Sequence, residues 1–358
     1  MSKKVGNIEL FMGPQQIGAK DDLLAVIVDF IDGAQKRLFI AVQELDSEPI
    51  ARAIVRARQR KVLVKLVLEA DYLRAKRAHK DPFSVQDVGE HEINRFLHDA
   101  ILRANIKVNS DFNPHIFHQK FIVRDGESVL TGSTNFTETG TSANLNHIVI
   151  IHDKRIAKIY DAEYSEIQQG HFGKLDEGHD SSPAEIPVSG VRVKPLFAPD
   201  HNPEMEIMKQ IAKAKSRIDF AIFTFAASSG IDDQLVFARN AGLSVRGALF
   251  ATQANQKWSA KKILHEAQAE LYLVPKDGLP EPAPRKLHHK LMVIDEQLII
   301  AGSFNYTGPA NYLNDENILI LGDLDETKAA SIQKQKELAR YALDEIDRII
   351  DAFGERVG

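Results

Sequence analysis

A histidine followed two residues later by a lysine occurs twice in this chain, and the same polar residues follow each pair at the same spacing. The two sets are His118, Lys120, Asp125, Gly132, Ser133 and Asn135, and His288, Lys290, Asp295, Gly302, Ser303 and Asn305. Side chains at i and i+2 of a strand point to one face, so each set places an imidazole beside an ammonium group. The Gly-Ser-x-Asn turn adds a hydroxyl and an amide. Two such half-sites around one cavity would suit a tetrahedral, anionic, phosphorus-centred group.

The two sets belong to a longer internal repeat. Residues 118–137 (HQKFIVRDGESVLTGSTNFT) align without a gap with residues 288–307 (HHKLMVIDEQLIIAGSFNYT), at an offset of 170. Upstream, residues 37–45 match residues 217–226 at an offset of 180, and residues 61–70 match residues 243–251 at an offset of 181. Because the offset between the copies falls from 181 to 170, the first copy contains 11 additional residues. We place them between Tyr72 and Glu92.

Apolar runs in both copies predict the elements that position the motif residues. The runs LFIAV, VLVKLVL, FAIF and LMVI are continuous and rich in β-branched residues, which is typical of strands covered on both faces. Helical patterns between these runs supply the cover. The predicted fold class is α/β, with two homologous α/β sandwich repeats. Each repeat is predicted to be a mostly parallel mixed sheet covered by helices, and a pseudo-two-fold axis is predicted to relate the two.

The predicted organisation is a first repeat over residues 1–175, a linker over 176–190 and a second repeat over 191–358. The linker is assigned to DEGHDSSPAEIPVSG because this stretch is polar and rich in Ser, Pro and Gly. From about residue 326 to 353, apolar residues at helical spacing predict a long amphipathic helix packed on the body. A partner-binding helix is the alternative for that segment.

Both motif segments resemble the duplicated HKD motif, HxK(x)4D(x)6GSxN, of the phospholipase D superfamily. The likeness covers nearly the whole chain, since each repeat also follows that family's order of elements. The resemblance implies a metal-independent phosphodiesterase in which one histidine forms a phosphohistidine while the other protonates the leaving alcohol and then activates water. It assigns His118 as the nucleophile and His288 as the general acid and base. The residues that it implies for binding the phosphoryl oxygens are Lys120, Lys290, Ser133, Asn135, Ser303 and Asn305.

The motif aspartates have a different role in that family. The resemblance implies that Asp125 and Asp295 are structural or orienting groups that fix a ring or a lysine nearby. One further position differs between the copies, since Glu316 of the second copy faces Asn146 of the first. In the family this Glu holds a catalytic histidine, and a carboxylate partner would make that histidine the more basic one. We therefore expect two unequal half-sites.

A single histidine in a strand is more often structural than catalytic, and the presence of two intact motifs is what favours catalysis. His289, the strand neighbour of His288, is expected on the opposite face in a structural role, whereas His115 could reach the rim of the cavity. The lysine beside each motif histidine would repel a cation, and no His-x-His or His-x-x-x-His pair with a carboxylate is evident. The sequence thus predicts no catalytic metal and no cofactor.

The composition is that of an ordinary globular protein, with 44% hydrophobic and 27% charged residues and a net charge of -5. No apolar run is long enough to cross a bilayer. The absence of Cys excludes disulfides, thiolate metal ligands and a cysteine nucleophile. Because no apolar segment follows the N-terminal lysines, we expect no secretory signal and a cytoplasmic location.

Basic residues near the predicted site bear on the choice of substrate. The candidate rim consists of Arg74, Lys76, Arg77 and Lys80 in the first copy, and Lys257 and Trp258 in the second. Cations bind phosphates and aromatic rings stack on bases, so this rim would suit nucleic acid. A solvated helix face or loop is the alternative interpretation of the same residues.

Nucleic acid, either DNA or RNA, is therefore the favoured substrate, and hydrolysis or transfer on phospholipids is the alternative. A phospholipid substrate would call for an interfacial patch, and no Trp- or Phe-rich loop of that kind is evident in the sequence. A nucleic-acid or membrane adaptor without turnover is a third hypothesis, which the intact motifs disfavour. One chain carries both half-sites, so no protein partner is needed for the active site, and the oligomeric state stays open.

Overall fold

The computed structural model shows two lobes, each built on one sheet, and describes residues 2–74, 81, 83, 91–175, 178 and 181–358. The first-lobe strands are β1 (Lys3–Val5), β2 (Ile8–Gly13), β3 (Arg37–Val42), β4 (Leu63–Glu69), β5 (Lys107–Asp111), β6 (Lys120–Arg124), β7 (Ser128–Gly132) and β8 (Asn144–Ile151). The later strands are β9 (Ile186–Val188), β10 (Val191–Ala198), β11 (Arg217–Ile222), β12 (Ser244–Phe250), β13 (Glu270–Val274), β14 (Lys286–Leu287), β15 (Lys290–Ile294), β16 (Leu298–Gly302), β17 (Glu316–Leu321) and β18 (Glu355–Arg356).

Helices cover these sheets. Those of the first lobe are α1 (Leu23–Asp32), α2 (Glu48–Gln59), α3 (Glu92–Arg103), α4 (Glu138–Ser142) and α5 (Lys154–Gln169). Those of the second lobe are α6 (Pro203–Ala212), α7 (Ile231–Asn240), α8 (Ala251–Ala254), α9 (Lys261–Glu266), α10 (Gly308–Tyr312) and α11 (Ala329–Phe353). Short 3₁₀ turns span Gln15–Ile17, Ala70–Tyr72 and Gly173–Leu175.

Both sheets are mixed and follow the same plan. The first has the order β1-β2-β8-β7-β6-β3-β4-β5, and the second has the order β18-β13-β12-β11-β15-β16-β17-β10-β9. The pairs β3–β4 and β4–β5 are parallel, as are β11–β12 and β12–β13, and the other neighbours along both paths are antiparallel. The α/β fold of two repeats is confirmed. The expectation of a mostly parallel sheet is wrong, because the continuous apolar runs reflect cover on both faces and not strand direction.

Three apolar cores bury the faces of the two sheets. One lies under the outer helices of the first lobe and a second lies under those of the second lobe. The third joins the inner faces of both sheets with α5 and α11, through residues such as Tyr160 and Ile346. The predicted C-terminal helix is confirmed as α11, whose buried Leu338, Ile349 and Phe353 pack into this central core. No helix in the described part of the chain is long and apolar enough to cross a membrane.

The stretch assigned to the linker ends in regular structure. Strand β9 lies inside residues 176–190 and pairs antiparallel with β10 in the second sheet. Ser189 and Gly190 join the two strands with φ angles of 52° and 89°, which is the conformation of a tight hairpin turn. The last residues of this stretch therefore belong to the second lobe, because Ser-Gly between two apolar segments forms a turn.

Candidate active site

Each motif histidine is held at the interface by backbone from the other lobe. The N–H of His118, just before β6, donates to the carbonyl of Asp315 at 2.9 Å. In the opposite sense, the N–H of His288, just before β15, donates to the carbonyl of Leu145 at 3.0 Å. Strand β14 reinforces the second contact by pairing with β8. Both histidines, only 6% and 8% exposed, therefore lie in one centre that a single chain completes.

A carboxylate from the second lobe contacts the first histidine. Oε2 of Glu316 lies 2.6 Å from Nδ1 of His118. The hydroxyl of Ser303 donates to the same carboxylate oxygen at 2.6 Å and so fixes the side chain. With Nδ1 engaged in this way, Nε2 is the nitrogen of His118 that is left for chemistry.

An amide from the first lobe takes the corresponding place at the second histidine. Oδ1 of Asn146 lies 2.9 Å from Nδ1 of His288, and the hydroxyl of Ser133 donates to that Oδ1 at 2.8 Å. The amide nitrogen of Asn146 donates to the carbonyl of Gly140 at 2.8 Å, which keeps the amide oxygen toward the imidazole. Because an amide oxygen only accepts, Nδ1 of His288 carries the hydrogen and Nε2 is free. The two half-sites are unequal, as expected.

The motif lysines are almost fully buried and fold back toward their histidines. The ammonium of Lys120 donates to the carbonyl of His118 at 2.8 Å and to Oε1 of Gln43 at 3.2 Å. The ammonium of Lys290 donates to the carbonyl of His288 at 2.9 Å. An ammonium group has three hydrogens, so Lys120 keeps one hydrogen and Lys290 keeps two for another acceptor.

The motif asparagines present unused amide groups. The side chains of Asn135 and Asn305 make no hydrogen bond within the described part of the chain, and the Oδ1 atom of each is buried. Buried polar groups are almost always paired. Two unpaired amides at equivalent positions therefore indicate a missing partner with several polar atoms.

Burial sets the electrostatics of the centre. It lowers the pKa of both motif histidines well below its usual value, and nearby lysine charges lower it further. It lowers the pKa of Lys120 to about 7 and that of Lys290 well below the usual range. Burial also raises the pKa of Glu316 to about 8, against the effect of the two lysines. The cations are thus short of negative charge, which an anionic phosphodiester would supply.

The motif glycines explain how the serines reach these partners. Gly132 and Gly302 have φ angles of 153° and 156°, and a Cβ there would lie 2.2 and 2.3 Å from the backbone oxygens of His147 and Asn317. Only glycine allows so close an approach. Both serines are fully buried and use their hydroxyls on Asn146 and Glu316. Ser133 and Ser303 therefore position the partners of the histidines, which differs from the predicted contact with phosphate.

The motif aspartates lie at the far end of the strands. Asp125 accepts hydrogen bonds from the backbone N–H groups of residues 35–37, and Asp295 accepts from those of residues 215–217. These bonds lower the pKa of each carboxyl, although burial opposes them. Both aspartates tie a turn to the start of a neighbouring strand. These contacts fit the structural role that was expected, but the expected contact with a ring or a lysine is wrong, because the strand carries both carboxyls away from the histidines.

Behind the motif histidines lies a second layer of polar side chains that the motif spacing did not predict. His289 is fully buried on the opposite face, as expected, and its Nδ1 lies 3.1 Å from Nδ1 of His147. At the equivalent place, the amide nitrogen of Asn317 donates to Oε1 of Gln119 at 2.6 Å. The sequence contained the information needed to find this layer. At the offset of 170 between the repeats, Gln119 corresponds to His289 and His147 corresponds to Asn317.

The candidate rim is only partly described. Arg74 forms an ion pair with Asp71 at 2.6 Å and lines a cavity that also includes Gln43. Lys257 and Trp258 are exposed, and no hydrogen bond or ion pair within the described chain joins either to a motif side chain. Lys76, Arg77 and Lys80 lie outside the described residues. His115 lies in a separate depression with Phe112 and Phe172. Among the described residues, no group of three or more His, Asp or Glu side chains could hold a metal ion.

Comparison with known proteins identifies similar chains. The family model described as "Cardiolipin synthase, PLD-like domain" matches residues 27–168 and 207–338. A phospholipase D of Rickettsia felis is 31% identical over 134 residues, which is 37% of this chain and 58% of the relative. A mitochondrial cardiolipin hydrolase of Xenopus laevis is 30% identical over 128 residues, covering 36% of this chain and 52% of the relative. The chain thus spans little more than half the length of these curated relatives.

A solved structure supports the fold over the whole chain. The phosphatidylserine synthase of Haemophilus influenzae superposes with a TM-score of 0.66 and 14% sequence identity, covering 100% of this chain and 88% of that one. At this level of identity the likeness concerns the arrangement of the two lobes. The side-chain contacts described above are this chain's own.

Proposed function

The chain belongs to the phospholipase D superfamily, and from this premise we propose that it is a metal-independent phosphodiesterase acting through a phosphohistidine. The observation that carries the proposal is the reciprocal pairing of His118 with Glu316 and of His288 with Asn146 across the lobes. It leaves Nε2 of both imidazoles available beside two ammonium groups. A nucleophile, a proton donor and a binding place for anionic oxygens are thereby combined in one buried centre.

In the first step, Nε2 of neutral His118 attacks phosphorus. The N–P bond forms as the P–O bond to the leaving alcohol breaks, and protonated His288 gives its Nε2 hydrogen to the leaving oxygen. The phosphorylated imidazole carries positive charge, which favours the ionised form of the nearby Glu316 carboxyl against the effect of burial, and the carboxylate in turn stabilises that charge. Asn146 offers His288 a neutral oxygen, so the proton of His288 is less strongly held. This difference supports His118 as the nucleophile.

In the second step, water replaces the imidazole. Neutral His288 takes a proton from water as the new P–O bond forms and the N–P bond to His118 breaks. The released product leaves His118 neutral and His288 protonated, as at the start. The anionic substrate favours the protonated form of His288, offsetting the burial that lowers the pKa of this residue.

The phosphoryl oxygens would be bound by the unused donors of the centre. Within the described part of the chain, one hydrogen of Lys120, two of Lys290 and the Nδ2 hydrogens of Asn135 and Asn305 have no acceptor. Donors held in place before the reaction stabilise charge that develops in the transition state. Loss of one such donor typically costs about 10²- to 10³-fold in rate.

Nucleic acid is our first candidate substrate, since the rim cations of the sequence would hold a phosphate backbone. The support within the described chain is Arg74. This arginine lines a cavity together with Gln43, whose side chain accepts a hydrogen bond from Lys120. Phospholipid is the second candidate, and a specific observation favours it. The ring of Phe223 lies 4.9 Å from that of His288 and forms an apolar wall at the centre. The matched relatives are a phospholipase D and a cardiolipin hydrolase, and both names concern lipid phosphodiesters.

Turnover of purified protein on labelled single- and double-stranded DNA, RNA, and vesicles of phosphatidylcholine or cardiolipin tests these proposals. Each substrate is assayed with and without EDTA, and His118→Ala serves as the inactive control. We expect cleavage of one class at an unchanged rate in EDTA. Loss of turnover in EDTA with recovery on adding Mg²⁺ or Zn²⁺ would contradict the metal-independent mechanism. Cleavage of lipid alone would exclude the nucleic-acid candidate.

A further inference from the structure

Three basic side chains of the second lobe lie around one aromatic ring. The centroid of the Phe223 ring lies 4.9 Å from that of the His288 ring. The ammonium groups of Lys290 and Lys286 lie 5.0 and 5.8 Å from the same Phe223 centroid. Lys286, His288 and Lys290 alternate along one extended segment, so their side chains point to the same face. Lys286 therefore borders the motif residues, although it lies outside the motif.

The backbone of Lys286 is held in place by the first lobe. Strand β14, which begins at this lysine, pairs in parallel with β8. The N–H of Arg285 donates to the carbonyl of Ala143 at 2.8 Å, and the N–H of His288 donates to that of Leu145 at 3.0 Å. The contacts that position His288 thus position Lys286 as well.

The ammonium group of Lys286 is unused. Within the described part of the chain it makes no hydrogen bond and no ion pair, and the side chain is half-buried. Burial lowers the pKa of this lysine, the charges of Arg285 and Lys276 add to the effect, and Glu44 opposes it. An anionic group bound beside this ammonium would offset the cost of its partial burial.

The matching positions of the first lobe carry different side chains. At the offset of 170, Lys286 corresponds to Ile116, which is half-exposed and apolar. At the upstream offset of 180, Phe223 corresponds to Gln43. At these matched positions, only the second lobe combines a cation with a flat ring. The two sides of the scissile phosphate therefore meet different chemistry.

The proposed mechanism decides which half of the substrate meets Lys286. His118 attacks phosphorus from one side, and His288 gives its proton to the leaving oxygen on the opposite side. The leaving alcohol consequently lies on the side of Phe223, whose ring contacts that of His288. A charged group on that alcohol would come next to Lys286.

We infer that Lys286 and Phe223 form a subsite for a leaving nucleotide that carries a phosphate of its own. The ammonium of Lys286 binds this second phosphate through charge-assisted hydrogen bonds. The ring of Phe223 packs against the sugar or base of the same nucleotide. This inference rests on the proposed function and deepens its nucleic-acid candidate, because it names the residues that recognise the phosphate next to the scissile one.

Three thymidine dinucleotides test the inference. They are TpT with both ends free, pTpT with an additional 5′-phosphate, and TpTp with an additional 3′-phosphate. Cleavage of TpT releases one thymidine and one thymidine monophosphate, and whichever hydroxyl of the released thymidine was esterified identifies the leaving unit. We expect the dinucleotide whose additional phosphate lies on that leaving unit to have a kcat/KM about tenfold or more above that of TpT. The other phosphorylated dinucleotide should gain little.

Variants of the lysine identify the group that binds the additional phosphate. Lys286→Ala should remove most of the gain, and Lys286→Arg should retain most of it, because the contact depends on positive charge. Lys336→Ala replaces an exposed lysine of α11 and is the matched control, which should keep the full gain. The comparison of the three dinucleotides uses the unmodified protein, so it holds even if a variant folds poorly.

The outcomes separate the inference from the function on which it rests. Equal kcat/KM for all three dinucleotides, or a gain only from a phosphate on the retained unit, would refute the subsite and leave the nuclease intact. A full gain in Lys286→Ala would also refute it, because another group would then bind the phosphate. Cleavage of longer DNA or RNA without cleavage of any dinucleotide would show that the adjacent phosphate is not enough, which contradicts the inference. If no nucleic acid is cleaved, the nucleic-acid candidate itself fails.

Discussion

The two half-sites share one backbone frame and differ in what touches the imidazole. In both, a close-packed glycine lets a buried serine hold the residue that contacts the histidine of the other lobe. His118 meets the carboxyl of Glu316, whereas His288 meets the amide of Asn146. Duplication thus supplies two equivalent positions, and one changed side chain gives the two histidines chemically different partners.

The side chains behind the motif histidines also differ between the two repeats. On one side Gln119 and Asn317 form a neutral amide pair, and the amide nitrogen of Gln119 donates to Glu163 at 3.1 Å. On the other side the equivalent pair is His147 and His289, whose rings stack 5.4 Å apart. Neutral amides do not titrate, but imidazoles do. The two halves of the interface should therefore respond differently to acid.

Removal of either motif imidazole is expected to have the largest effect on turnover. His118→Ala and His288→Ala should each lower kcat by at least about 10³-fold, because nucleophile and acid are needed in the same step. The two variants should differ in what accumulates. His288→Ala keeps the nucleophile and, with a diester that has a good leaving group, should build up a phosphohistidine detectable by intact-protein mass spectrometry.

The same measurement decides the assignment. No adduct is expected in His118→Ala, because that variant lacks the nucleophile. An adduct on His288 in the His118→Ala protein would reverse the two roles. Equal adducts in both single variants would show that the half-sites are interchangeable in spite of their different partners.

Exchanging the partner side chains should have an intermediate effect. Glu316→Gln removes the carboxyl that stabilises the phosphorylated imidazole, and kcat should fall roughly 10²-fold or more. Asn146→Asp gives His288 an opposite charge, which raises its pKa. If His288 is the acid, the alkaline limb of the pH profile of kcat/KM should then move to higher pH by about one unit or more.

Which limb of the pH profile moves in Asn146→Asp tests the roles of the two histidines independently of the rate. A nucleophile must be neutral, so its pKa sets the acidic limb. If Asn146→Asp moves the acidic limb upward and leaves the alkaline limb in place, His288 is the nucleophile. Asp351→Asn, far along α11 and exposed, serves as the control for a general change in charge.

Much of this site could be predicted from the sequence because its parts repeat. The gapless alignment of residues 118–137 with 288–307 identified the histidines and lysines, and strand alternation placed His289 on the opposite face. The inequality of Glu316 and Asn146 followed from extending the same offset of 170 beyond these segments. Local spacing and duplication were sufficient for these features.

Other features depend on which chain segments meet in three dimensions. Burial on both faces makes an antiparallel strand look like a parallel one, so strand direction was predicted wrongly. Spacing alone could not show that β6 carries Asp125 away from His118, or that Ser133 turns inward to Asn146. The contrast between Gln43 and Phe223 lay outside the motif, and only the structure shows that each of these side chains lies beside a motif lysine.

The smallest expected effect concerns acid stability and the His147–His289 pair. Nε2 of His147 accepts from the N–H of Gly302 at 3.1 Å, so its Nδ1 hydrogen points to Nδ1 of His289. A proton added to either ring would break one of these bonds. Accordingly, burial and the neighbouring ring lower the pKa of His147 well below its usual value of 6.5. Burial, with Arg348 and Lys290, also lowers that of His289, although Glu345 opposes the shift.

Because the folded pKa is depressed, the unfolded chain binds more protons below pH 6.5, and stability is lost as the pH falls. Each such histidine can lower the free energy of unfolding by at most about 1.4 kcal/mol per pH unit in this range. The double change His147→Asn with His289→Gln transplants the amide pair of the other half. It should reduce the loss of unfolding free energy between pH 7.5 and 5 in urea titrations, while His265→Gln on exposed α9 should not. His118 and His288 still titrate, so part of the acid dependence should persist. If the double variant is as acid-sensitive as the parent protein, the stacked imidazoles are not the element that makes the two halves differ.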